Sequence, residues 1–177
     1  MSSLVVRVRT IDEIRPHGNA DTIELAIVGG WQTVVRKGEF QPGDNVVYIP
    51  PDSILPLELS EKRGVTKYLS NGRVRVTRLR GENSQGLIFP AEPEWEVEQD
   101  VAEHLGIVKY EPPLKFTIGD CEVDHPLFPR YTDIENIRNF PDVLNLGEPV
   151  WVSEKLDGTN SRVGFVGGQW MAGSHNY

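Results

Sequence analysis

Only one cysteine, Cys121, occurs in the 177 residues. A lone thiol closes no internal disulfide, so the fold is no disulfide scaffold and a cytosolic protein is the simplest expectation. Cys121 has no nearby base in sequence and reads as inert. No apolar run approaches the ~20 residues of a membrane-spanning helix. Met1-Ser2-Ser3-Leu4-Val5-Val6-Arg7 lacks the long apolar core of a secretory signal. No pair of His or Cys stands at ligand spacing, so no metal-ligating side chains are expected. Internal repeats and low-complexity tracts are also missing.

Proline and glycine are plentiful, at 13 and 17, beside a hydrophobic fraction of 38%. Such dense punctuation suits short strands better than long helices. Net charge is −8, yet it is unevenly spread. Residues 1–90 hold 12 basic and 10 acidic side chains, while 91–177 hold 6 and 16. The acidic total therefore does not exclude a polyanionic partner for the first half.

Leu4, Val6 and Val8 alternate with Arg7 and Arg9, the pattern of a half-buried strand. Ile14 to Asp21 reads as a loop. Thr22–Val28 and Trp31–Val35 flank Gly29-Gly30 as a tight hairpin. Pro42-Gly43-Asp44 is a turn before a strand at Val46–Ile49. A further strand is expected over Arg73–Arg80, where the alternation slips and a bulge near Thr77 would explain it. Gly86–Phe89 follows. Strands this short and this frequent predict a small closed barrel. Arg73, Arg75, Arg78 and Arg80 are either a phosphate-contacting patch or a solvated edge. Residues 92–103 carry six acids and no basic residue. Val97, Val101 and Leu105 predict a short helix there, with the acids as a solvated face. Glu111-Pro112-Pro113 reads as a linker.

The second half reads as α+β. Thr132 and Glu135 form a capping box for a helix reaching Phe140. A strand is expected over Pro149–Lys155, and a second hairpin around Gly167-Gly168. Lys155 directly after an apolar strand is expected to be partly buried, which favours the neutral amine a nucleophile needs. Asp157 would share its face in an extended segment. Gly158 would let the backbone approach a ligand. His17 reads as structural. Trp31, Trp95, Trp151 and Trp170 are expected in the core, with Trp31 the one to check for a stacking role.

Lys155-Leu156-Asp157-Gly158 resembles the Lys-x-Asp-Gly signature of covalent nucleotidyltransferases. Glu154 before it and Thr159-Asn160 after it make the segment resemble ATP-dependent RNA ligases, although many of these carry His at the position of Asp157. Gly173-Ser174-His175-Asn176 resembles their next element. Pro16–Asp21, Gly38–Asp44, Tyr48–Ser53 and Ser84–Leu87 resemble the N-terminal OB domain of the nick-sealing RNA ligases typified by a Deinococcus enzyme. The resemblance implies a mainly β chain: an OB-like barrel over 1–110, then the α+β start of a nucleotidyltransferase domain over 111–177.

It further implies that Lys155 attacks ATP to give lysyl-AMP, with Mg2+ or Mn2+ on the phosphates. Glu154, Leu156, Asp157, Gly158 and Asn160 would surround the nucleotide. Ser174 would lie toward the nucleic acid, with the four arginines. The implied partner is a nicked duplex of RNA or an RNA/DNA hybrid, bound by a cytoplasmic monomer. Only 22 residues follow Lys155, so the family's later elements are missing, and a fragment or truncated product is expected. The alternatives are an OB-type nucleic-acid-binding module without catalysis and a GTP-using capping enzyme, the latter disfavoured by the barrel's N-terminal position.

Overall fold

The computed structural model describes residues 4–112, 125–129, 136–140, 142–155, 158 and 160–174. The chain divides into two units, Ser3–Glu111 and Pro112–Tyr177, and each is taken by itself. No helix of the described residues is long and apolar enough to cross a membrane.

In the first unit, β1 (Arg7–Thr10), β2 (Glu13–Pro16), β3 (Ile23–Val28), β4 (Trp31–Arg36) and β5 (Asn45–Ile49) come first in the chain. They are followed by β6 (Ser53–Ile54), helix α1 (Leu57–Lys62), β7 (Thr77–Leu79), β8 (Glu82–Ser84), β9 (Leu87–Pro90) and β10 (Val108–Lys109). Two antiparallel sheets, β1-β5-β9 and β2-β3-β4, form its body. The chain passes between them at Ile11 and Asp12. Ile11 donates its N–H to the Asp44 carbonyl at 2.9 Å, and Asp12 donates to Ile27 at 2.8 Å. One nearly continuous strand thereby leaves one sheet and enters the other, as a small barrel requires. β2 runs to Pro16, so part of the expected Ile14–Asp21 loop is strand. Gly29 and Gly30, with φ of +56° and +78°, make the β3–β4 turn as expected.

β5 is buried on both faces from Val46 to Ile49. Val46 and Tyr48 join one core with Ile11, Ala26, Val28, Val35, Phe40 and Ile88. Val47 and Ile49 join the other with Val6, Val8, Leu55, Val74, Phe89, Val101 and Ile107. Both sides of the strand therefore contribute apolar burial, which is why it reads as an unbroken run.

The second core is covered by the acidic stretch, and here the structure departs from the sequence-based expectation. No helix forms at 97–105. Instead residues 98–101 run along the edge of β1. Glu98 N–H donates to the Val8 carbonyl at 2.8 Å, Val8 to Gln99 at 3.0 Å, and Val101 to Val6 at 2.8 Å. Asp100 Oδ1 accepts from Val6 N–H at 3.0 Å. The acids are not merely solvated either: Glu98 takes both Arg7, at 2.8 Å, and Arg9, at 2.9 Å. An open strand edge offers these residues more hydrogen bonds than an isolated helix of two turns would hold in water.

The single strand expected over Arg73–Arg80 is also two pieces. Arg73 bridges Ile54 and Ser70 across an Asn71-Gly72 turn. β7 pairs β8 across Arg80-Gly81. Val74 is buried, whereas Val76 is 55% exposed. Two separate turns make competing demands on this segment, so the ladder stops between Val74 and Thr77; no bulge is involved.

Closure of the barrel falls to Ser84-Gln85-Gly86. Gln85 N–H donates to the Gln32 carbonyl of β4 at 2.7 Å. Val34 N–H donates to Ser84 Oγ at 3.0 Å, and Tyr48 Oη donates to the Gln85 carbonyl at 2.7 Å. Gly86 has φ +99°, and a Cβ there would sit 2.5 Å from the Ile49 carbonyl oxygen and 3.1 Å from the Tyr48 ring.

In the second unit, Ile137–Asn139 is a 3-10 turn capped by the Asn136 side chain, which accepts from Arg138 N–H at 3.0 Å. Thr132 and Glu135, the expected capping box, lie outside the described residues, as does Cys121. β11 (Arg162–Val166) and β12 (Gln169–Gly173) form a hairpin across Gly167-Gly168. Arg162 lies 4.8 Å over the Phe128 ring, and its Nη1 donates to the Phe128 and Pro129 carbonyls. The expected strand at 149–155 is not formed.

Gly86→Ala is expected to lower stability by roughly 2–4 kcal/mol, because the contact is to backbone and cannot yield. Urea unfolding followed by tryptophan fluorescence measures it; an unchanged midpoint would show that the closure is not tight.

Candidate nucleotide and nucleic-acid sites

The segment expected to carry the nucleophile lies in the second unit. Trp151, Val152, Ser153, Glu154 and Lys155 are all exposed. The expectation of a half-buried Lys155 is therefore corrected. Apolar neighbours in sequence bury a lysine only when other elements cover them, and no strand among the described residues pairs with 149–155. Leu156, Asp157, Thr159 and His175 lie outside the described residues, so the shared face of Lys155 and Asp157 is not described.

Gly158 is exposed, and Asn160 and Ser174 are half-buried. The register Arg162↔Gly173 puts Asn160, just before β11, and Ser174, just after β12, at the same open end of the hairpin. The two sequence elements thus enter and leave the hairpin together. One face of it carries Val163, Phe165 and Trp170, all exposed, with the two rings edge-on at 5.5 Å. Trp151, at 103% exposure, and Trp170, at 75%, are not core residues as expected. Each sits on a segment with too few neighbours to cover an indole. Trp31 and Trp95 do pack against the two cores, and Trp31 stacks on Tyr48 at 6.1 Å.

Among the described residues, no group of three or more His, Cys, Asp or Glu could hold a metal ion. A resident metal does not fit the described side chains.

The four arginines divide. Arg73 is committed inside the first unit: it donates to Asp52 Oδ1 from Nε at 2.8 Å and from Nη2 at 2.6 Å, and its guanidinium lies 3.7 Å from the Tyr110 ring centre. A planar cation held on both faces of its chemistry is poorly placed to bind phosphate. Arg78 Nε folds back on the Gly81 carbonyl at 2.9 Å. Arg75 and Arg80 are exposed, and among the described residues their guanidinium groups make no hydrogen bond or ion pair. All four lie in residues 57–81, which hold seven basic and two acidic side chains within a chain of net charge −8. Lys67 and Tyr68 in the same stretch escaped the sequence reading. Tyr68 is 55% exposed, with the Lys67 ammonium 5.0 Å from its ring centre.

His17 is buried and structural, as expected. Asn19 N–H donates to its Nδ1 at 3.1 Å, so the ring proton sits on Nε2, which donates to the Leu79 carbonyl at 3.1 Å. The loop after β2 is thereby tied to the β7–β8 turn. Nothing local in the sequence signals that tie.

Residues 5–91 match a family described as an OB-fold domain. No curated protein matches the sequence. Among solved structures, the chain is similar to RNA ligases of Naegleria gruberi. A mutant without ligand is 32% identical, with TM-score 0.71, over 99% of this chain and 56% of that one. A mutant with ATP and Mn is 33% identical, with TM-score 0.69, over 98% and 56%. The ligase with PPi is 34% identical, with TM-score 0.67, over 99% and 56%. The chain thus spans a little over half the length of the structures it matches. The fold is mainly β, with an OB-fold domain and a structural match to an RNA ligase.

One titration checks the surface electrostatics of β2. Arg15 donates to Glu13 at 2.6 Å, and that hydrogen bond, with the guanidinium charge adding to it, holds the Glu13 carboxyl below its usual range. A lowered carboxylate contributes above its unfolded value and loses that contribution as pH falls through the lowered one. In an NMR titration Glu13 should protonate below the ordinary glutamate range and move up in Arg15→Gln. An unchanged midpoint would remove the pair.

Proposed function

We propose that this chain carries the OB domain and the nucleophile segment of an ATP-dependent RNA ligase that seals 3′-hydroxyl/5′-phosphate nicks. The observation that supports it most is the similarity, at 32–34% identity over 98–99% of the chain, to RNA ligases whose solved complexes include ATP and Mn, and PPi. The coincidence of that similarity with Glu154-Lys155-Leu156-Asp157-Gly158 supports Lys155 as the nucleophile.

In this reading the neutral amine of Lys155 attacks the α-phosphorus of ATP. A P–N bond forms, the bond to the bridging oxygen breaks, and pyrophosphate leaves with its electron pair. The amine proton passes to solvent, which reaches the exposed side chain. Glu154, Leu156, Asp157, Gly158 and Asn160 surround the nucleotide. Mg2+ or Mn2+ bound to ATP lowers the charge on the phosphates. A 5′-phosphate oxygen at the nick then takes AMP from the lysine, and the 3′-hydroxyl displaces AMP to close the strand. Between members of this class, the N-terminal OB domain favours the nick-sealing type.

The nucleic-acid contacts fall to the basic stretch 57–81, with Arg75 and Arg80 in front, and Ser174, at the hairpin end of the second unit, is a further contact in this reading. Arg73 and Arg78 serve the barrel's own structure. The partner is a nicked duplex of RNA or an RNA/DNA hybrid, met by a cytoplasmic monomer. A second reading, a nucleic-acid-binding OB module without catalysis, is favoured by that basic stretch alone.

The full-length protein, incubated with ATP labelled at the α-phosphate and Mn2+, should take up label on the peptide containing Lys155. The bond should survive alkali and break in acid, as P–N bonds do. Lys155→Ala should take up none. Equal labelling of Lys155→Ala would overturn the assignment, and salt-dependent RNA binding without any labelling would favour the second reading.

A further inference from the structure

We infer that Arg80 is a phosphodiester contact held out by an unfavourable turn, and that Asn19, anchored by His17, is its positioning residue. The inference rests on the nucleic-acid role proposed above and adds how one contact is built.

Arg80 and Gly81 are the two central residues of the β7–β8 hairpin, since Leu79 pairs with Glu82. Both have positive φ, +48° and +103°. Such turns prefer Asn-Gly, because a Cβ on most L-residues strains the left-handed backbone. The same barrel uses the preferred pair at Asn71-Gly72, with φ of +53° and +79°. Arginine at position 80 is therefore not what the turn itself asks for. Strained residues persist where their surroundings over-determine them.

Those surroundings are the loop after β2. His17, 7% exposed, donates from Nε2 to the Leu79 carbonyl at 3.1 Å. Asn19 N–H holds the other ring nitrogen at 3.1 Å, and Asn19 Nδ2 donates to the Arg80 carbonyl at 3.3 Å. Arg78 Nε closes the far side on the Gly81 carbonyl at 2.9 Å. Successive carbonyls of the turn are thus fixed from three directions. The backbone of Arg80 is held while its guanidinium is left exposed and, among the described residues, without a hydrogen bond or ion pair. In OB folds the loop after the first strand and the loop before the last flank the oligonucleotide face. With β1 and β2 as one bent barrel strand and β9 as the last strand of the barrel, His17 and Asn19 lie in the first of these and Arg80 in the second. An exposed, unpaired guanidinium on a fixed backbone at that rim suits a phosphate oxygen, which accepts its forked N–H groups.

The test is fluorescence anisotropy of the 177-residue chain with a labelled nicked RNA duplex across a KCl series, beside thermal melts. Arg80→Asn should melt at or above the wild-type temperature yet bind roughly three- to tenfold more weakly, with a log–log salt slope smaller by about one. Arg80→Lys should keep the slope. Asn19→Ala should weaken binding when Arg80 is present and add nothing in Arg80→Asn. The proposal falls if Arg80→Asn binds with unchanged affinity and slope, if it melts well below wild type, or if Asn19→Ala weakens binding equally without Arg80. Wild-type chain that shows no salt-dependent binding would instead overturn the nucleic-acid reading itself.

Discussion

The first unit depends on the seam where Ser84-Gln85-Gly86 meets β4. Two curved sheets become a barrel only if their free edges join, and this seam joins them with the Gln85–Gln32 backbone bond at 2.7 Å. The Ser84 hydroxyl substitutes for a ladder carbonyl by accepting from Val34 N–H. The third residue can only be glycine, because a Cβ would sit 2.5 Å from the Ile49 carbonyl oxygen. Each residue of the motif has a separate mechanical reason. Without the seam, Tyr48 loses the Gln85 carbonyl its hydroxyl needs, and β5 loses cover on one face.

Closure also decides where the rest of the chain goes. The excursion between β5 and β9 must leave the barrel and return at Ser84, so it is free to carry turns and charge. It carries most of the basic residues of the first unit and is pinned to the loop after β2 through His17. On the other side, the acidic stretch 92–107 covers the second core and pairs with the edge of β1 through Glu98 and Asp100. Charge segregation thus follows topology. Glu98 is held inside the unit against Arg7 and Arg9, and the arginines at 75 and 80 remain outward.

Sequence reading succeeded where structure is local. Gly29-Gly30 and Gly167-Gly168 each demand positive φ at two successive positions, and each makes the hairpin expected of it. The unbroken run Val46–Ile49 is a strand buried on both faces. Reading failed where the partner is distant. Val97, Val101 and Leu105 have helical spacing, yet Val101 is claimed by Val6, 95 residues away in the chain, a pairing no local window contains. Arg73 alternates correctly with Val74 and Arg75, but Asp52 and Tyr110 decide what its side chain does. Lys155 was identified by its neighbours in sequence, and its exposure could not be, since burial depends on what covers Trp151 and Val152. The turn at Arg80-Gly81 was missed because arginine is not a turn residue, and that same mismatch is what makes it informative.

The ligase reading joins an OB domain to a lysine whose sequence setting, not its burial, marks it as the nucleophile. Its most direct test is a single-turnover chase. Protein charged with labelled AMP is freed of ATP and given a nicked RNA duplex. The account predicts that label leaves Lys155 and the strand is joined with no further ATP. Label that stays on the protein while the nick remains open would contradict it.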